Sequence, residues 1–218
     1  MSTSPTGSSV QADRQWFIVG RWQEYGGEGR ANLLRIVAVA VFYAIELVNF
    51  QWLQAVSLDF HRAVTALAVA WTMVALGVLL CLRRQLFPPA LKYISTLCDL
   101  VLLTSMAALG GGPASPLVFV YFPLLALAAL RFQLRLVWCA TAGSMVGYVV
   151  LLGLGHPDWF GSADAPRTVP RVEQLVVLVS LLLTGVILGQ VIRRSRNLAD
   201  EFAQRLQAVG GSPSHRTS

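Results

Sequence analysis

The sequence predicts an all-α, polytopic membrane protein, and three observations lead there. Hydrophobic residues make up 55% of the chain and charged residues 13%, with a mean hydropathy of +0.60, whereas a soluble domain carries about 25% charged residues. The apolar residues are gathered into six runs, Leu33–Leu53, Ala63–Leu82, Tyr93–Leu109, Leu117–Leu130, Leu134–Leu154 and Val172–Ile192, each read as a spanning helix. Basic residues alternate by side: 14 of the 17 Lys and Arg fall at the termini and alternate loops, leaving only Arg62, Arg167 and Arg171 on the other side. Because Lys and Arg are retained in the cytoplasm, this bias predicts six transmembrane helices with both termini cytoplasmic, in a bacterial inner (cytoplasmic) membrane. Omitting the short fourth run would scramble the bias.

Taken in order, residues 1–11 are rich in Ser, Thr, Gly and Pro and read as a disordered leader. No charged n-region followed by an apolar stretch and a cleavage site opens the chain, so no cleavable signal is expected. Residues 12–30 read as an interfacial amphipathic segment, with Ile18, Trp22 and Tyr25 at helical spacing. Gly26, Gly27 and Gly29 are expected to break it before the transmembrane domain, residues 31–192. Within that domain the third run has 17 residues and the fourth 14, about 26 and 21 Å of helix against a hydrocarbon core of roughly 30 Å. The hinge between them, Gly110 to Pro116, is therefore expected at or below headgroup level, where its backbone needs protein partners. Pro123 lacks an N–H and is expected to kink the fourth helix. Small residues make close-approach faces at Ala140, Gly143 and Gly147, and at Gly185 and Gly189. Residues 193–209 read as a cytoplasmic helix leaving the sixth span, with Leu198, Phe202, Leu206 and Val209 on one stripe suited to a second copy or a partner protein. Residues 210–218 read as a disordered tail.

Few side chains in the apolar runs carry chemistry. Asp99 lies inside the third run, and a carboxylate there needs a cation. Arg35, at similar depth in the first run, is the first choice for an intramembrane ion pair, and Arg131, closing the fourth, the second. Glu46, Asn49, Asp59, His61, His156 and Asp158 lie toward the opposite side without any ligand motif, and Cys81, Cys98 and Cys139 lack metal or disulfide spacing, so no metal site is expected. With no histidine in the middle of a run and no Gly-x-Ser-x-Gly elbow, no catalytic residue is assigned and an enzyme is disfavoured. No nucleic-acid partner is expected. Gly111, Gly112, Ser115 and Pro116, with Phe119 and Tyr121 beyond them, compose the candidate ligand-binding region, since residues without Cβ admit close approach and aromatic faces suit a planar ligand.

Six short-looped helices, an Asp in the third, a Gly-Gly-x-x-Ser-Pro hinge to the fourth and a charged helix leaving the sixth resemble the membrane sensor domain of redox-responsive and pilus-regulating bacterial histidine kinases. The arrangement is also similar to the six-helix anchors of membrane-bound class III adenylate cyclases. In the redox kinases the hinge reads Gly-Gly-x-x-Asn-Pro-Phe; here Ser115 and Leu117 stand at the Asn and Phe positions. The resemblance implies a sensor-like or signalling module, here without an output domain, that senses a small or lipid-borne ligand such as a quinone and acts as a dimer or through a partner. A small transporter and an accessory subunit of a membrane complex are the alternatives.

Overall fold

The computed structural model describes residues 6–52, 57–84, 90–156 and 169–210, and among these there is helix and no strand. Six α-helices follow one another: α1 (Thr6–Gln51), α2 (Leu58–Arg83), α3 (Ala90–Leu109), α4 (Tyr121–Ala129), α5 (Leu134–Gly155) and α6 (Arg171–Gly210). Two 3-10 turns, Gly112–Ala114 and Pro116–Val120, join α3 to α4. Among the described residues, five helices are long and apolar enough to cross a membrane: α1 from Gly27, α2, α3, α5, and α6 as far as Phe202. The fourth run forms only the apolar stretch Pro116–Ala129, short of a full span by itself.

The first correction concerns α1. Gly26, Gly27 and Gly29 do not break it, and helix runs unbroken from Thr6 through the leader and the interfacial segment into the first span. An interior glycine costs about 1 kcal/mol, less than the backbone hydrogen bonds and packing that a break would forfeit. Gly27 also permits close approach: a Cβ there would stand 3.4 Å from the Leu130 carbonyl oxygen. The side chains of residues 6–26, and with them the Ile18, Trp22, Tyr25 stripe, lie outside the described residues, as do residues 1–5 and 211–218.

Local sequence accounts for the other boundaries. Ser57 caps α2, its hydroxyl accepting from the Phe60 N–H at 3.3 Å, while Asp59 in the first turn and Arg83 in the last complement the helix dipole. Pro123 falls in the first turn of α4, where a missing N–H is harmless, so the expected kink becomes a junction between 3-10 and α geometry at Val120 and Tyr121. The core lies where α3, α4 and α5 meet, on Leu103, Tyr121, Leu125, Leu136, Tyr148 and Leu151. Helix α2 packs on α1 and α3, and α6 on α4 and α5. The glycine faces serve this packing. A Cβ on Gly143 would meet Leu100, one on Gly147 would meet Thr104 and Tyr121, and one on Gly185 would run into Thr141.

Candidate functional site

At one end of the bundle a set of polar and charged side chains is buried together. On α1, Glu28, Asn32 and Arg35 follow at spacings of four and three; on α3, Lys92, Ser95, Thr96 and Asp99 repeat that period. Each set occupies one helical face, and all seven residues are buried. Arg35 reaches Asp99 with both arms of its fork, Nε to Oδ1 at 2.7 Å and an Nη to Oδ2 at 2.6 Å. Its remaining arm donates to Asn32 Oδ1 at 2.9 Å, and Asn32 in turn donates to the Ala75 carbonyl of α2 at 3.1 Å. Trp71 of α2 donates its indole N–H to Asp99 Oδ1 at 2.8 Å. The bidentate, charge-assisted geometry and the extra donor offset the desolvation of the buried pair.

Arg131, the second candidate for Asp99, goes elsewhere. Its guanidinium donates to the Lys92 carbonyl at 3.0 Å, to Thr96 Oγ1 at 2.6 Å and to Ser95 Oγ at 3.1 Å, and its Nε stands 3.1 Å from Glu28 Oε1. This last contact is ionic: neither Glu28 carboxylate oxygen nor Arg131 Nε has a hydrogen-bond partner. A cavity of about 10 Å³, bordered by Arg35, Thr96, Asp99 and Arg131, lies between the two ion pairs. The next residue, Phe132, sits at φ 51°, a left-handed conformation unusual for a non-glycine residue. Its carbonyl accepts from Arg196 of α6. The cluster thus joins α1, α2 and α3 to the turn after α4, and that turn to α6.

The hinge residues are held by local backbone geometry. Gly111 and Gly112 hold φ of 121° and 68°, as a tight turn requires. Ser115 is buried, and its hydroxyl accepts from the Leu117 N–H at 3.2 Å, capping the 3-10 turn that Pro116 opens. Phe119 is 66% exposed, whereas Tyr121 is fully buried with its hydroxyl 2.7 Å from Thr104 Oγ1. Exposure thus separates the two aromatics, and local backbone geometry by itself accounts for Gly111, Gly112, Ser115 and Pro116.

Of the charged groups toward the other end, Glu46 and His61 meet. Both carboxylate oxygens of Glu46 lie about Nδ1 of His61, at 2.9 and 3.0 Å, and the imidazole stacks on Phe50 with centroids 4.0 Å apart. Asp59 instead lies 3.8 Å from Arg62 on the surface, and Asp158 lies outside the described residues.

The sequence reading passed over Glu28, Asn32, Trp71, Lys92, Ser95 and Thr96. The two polar stripes were there to be read at helical spacing, but treating the glycines as a break hid Glu28. Trp71 carries no mark within an apolar run. Chemically the arrangement is a pair of charge locks among helices. Compared with protein-family models, curated proteins and solved structures, the chain matches none of them.

Proposed function

We propose that this protein is a sensor-like signalling module of a bacterial inner membrane that crosses the bilayer six times, keeps both termini in the cytoplasm, and reports through the helix leaving its last span to a second copy or a partner protein. The observation that carries the proposal is the continuity of α6, which runs unbroken for 40 residues, about 60 Å, well beyond a bilayer core of roughly 30 Å. Outside the bundle it presents Leu198 and Phe202, 48% and 65% exposed. These two share a face with Ile187 and Val191 above them, with Arg194 on that face between the two apolar pairs.

Six crossings are supported by the Arg131 contact with Lys92, which brings the end of α4 back to the level at which α3 began. With the 3-10 turn before it, α4 covers about 24 Å, and the hinge supplies the remaining depth. The charge cluster is the proposed relay. A shift of α1 or α3 that alters Glu28 against Arg131 would move the adjacent Phe132 carbonyl and, through it, Arg196. A signalling role requires two arrangements of such an element.

The test is cross-linking. Cysteines introduced at 198 and 202 are expected to form disulfides between copies or to a co-purifying partner, and Phe202→Glu to weaken that association at least several-fold. Absence of both cross-linking and any effect of Phe202→Glu on co-purification would overturn the transmission role.

A further inference from the structure

A groove of about 810 Å³ runs along the bundle between α2, α3 and α5, bordered by Ala66, Leu97, Val101, Ala108, Val146 and Val150. We propose that it holds one acyl chain of a phospholipid whose phosphate is met by Arg62. The inference rests on these helices crossing a bilayer, which vesicle flotation checks separately.

The lining asks for hydrocarbon. Its polar members on α3, Thr104 and Ser105, each donate to the carbonyl four residues back, at 2.7 and 2.8 Å. Thr104 is also paired with Tyr121, leaving no hydrogen-bond demand for a polar ligand to meet. The α3 wall from Leu97 to Leu109 rises about 18 Å, close to the roughly 15 Å of one leaflet of the hydrocarbon core. Gly143 and Gly147 on the α5 wall already pack against α3, since a Cβ at Gly143 would stand 2.5 Å from Leu100 and one at Gly147 would stand 2.7 Å from Thr104.

Charge identifies the rest of the occupant. Arg62 lies one turn before Ala66 on the same face of α2 and next to Ala63, and both alanines border the groove. Its side chain is 70% exposed and its carboxylate neighbour, Asp59, is 3.8 Å away and 94% exposed, an arrangement too loose and solvated to hold the guanidinium. A phosphate at headgroup level suits it.

The experiment is native mass spectrometry of the full-length protein after exchange into detergent containing phosphatidylglycerol or diacylglycerol. The wild type is expected to retain one phosphatidylglycerol. Ala66→Trp and Ala108→Trp, which fill the groove, are each expected to reduce retention at least tenfold. Arg62→Gln is expected to weaken phosphatidylglycerol several-fold while leaving diacylglycerol unchanged. A second measurement does not depend on the tryptophan variants folding: a fluorophore on Val101→Cys in vesicles should be quenched more strongly by chain-nitroxide phosphatidylglycerol than one on Val179→Cys, on the exposed flank of α6. Unchanged retention in both folded tryptophan variants, equal quenching at 101 and 179, or efficient disulfide formation between copies through Val101→Cys would overturn the proposal, the last by placing a second copy in the groove.

Discussion

Asp99 accepts from three nitrogens, two on Arg35 and one on Trp71, inside a bundle end that also buries Glu28 and Arg131. Removing the carboxylate strands the Arg35 guanidinium, and breaking a buried pair from one side typically costs 3–5 kcal/mol, that is, about ten times an exposed pair. Asp99→Ala is therefore expected to lower the thermal stability of the detergent-solubilised protein sharply. Asp59→Ala, which touches only an exposed arginine, should leave it nearly unchanged, and equal effects would show Asp99 to be solvated or neutral. Trp71→Phe keeps the aromatic body and deletes one hydrogen bond to a charged acceptor, so a smaller loss of about 1.5–3 kcal/mol is expected in the same assay. The need of Asp99 for a cation was legible because a carboxylate in an apolar run stands out, and Arg35 was legible by depth. That Arg131 would serve Glu28 was not, because depth is a single coordinate and cannot say which of two arginines faces which helix.

At the scale of elements, the glycines separate local from tertiary causes. Gly77 on α2 has open space where a Cβ would go, while at Gly185 a Cβ would run into Thr141, which is buried and bonded to its own helix. Gly77→Ala is expected to raise stability by up to about 1 kcal/mol through helix propensity. Gly185→Ala is expected to lower it by roughly 1–3 kcal/mol through overpacking. Matched unfolding curves read both, and a stabilising Gly185→Ala would mean that α5 and α6 do not pack here. The hinge behaves as a turn: Gly112 has open space around it, yet its φ is 68°, so Gly112→Val should cost about 1–2 kcal/mol and Gly112→Asn distinctly less. Ser115→Ala loses the bond to the Leu117 N–H and should cost about 0.5–1.5 kcal/mol. If Gly112→Val is silent, the turn geometry described here is wrong.

For the whole molecule, the polar bundle end gathers Glu28, Arg35, Lys92, Asp99 and Arg131, and α6 leaves beside it carrying Arg193, Arg194 and Arg196. The proposed orientation places this end in the cytoplasm, as the basic bias demands. Reporter fusions check it: a cytoplasm-active reporter after Val209 is expected to work and a periplasm-active one to be silent, with the reverse pattern for insertions between residues 161 and 165. Periplasmic activity after Val209 would refute the cytoplasmic placement of the C-terminus.

Composition and periodicity by themselves determined that this chain is helical and that several of its helices suit a bilayer, because those properties follow from how many consecutive residues are apolar and where charge interrupts them. Only the tertiary structure decided that α1 runs through its glycines, that Phe119 is exposed and Tyr121 buried, and that Arg35 and Arg131 divide two carboxylates between them. Each of these depends on which face of one helix meets which face of another, and a one-dimensional pattern fixes the faces of a helix without fixing their neighbours.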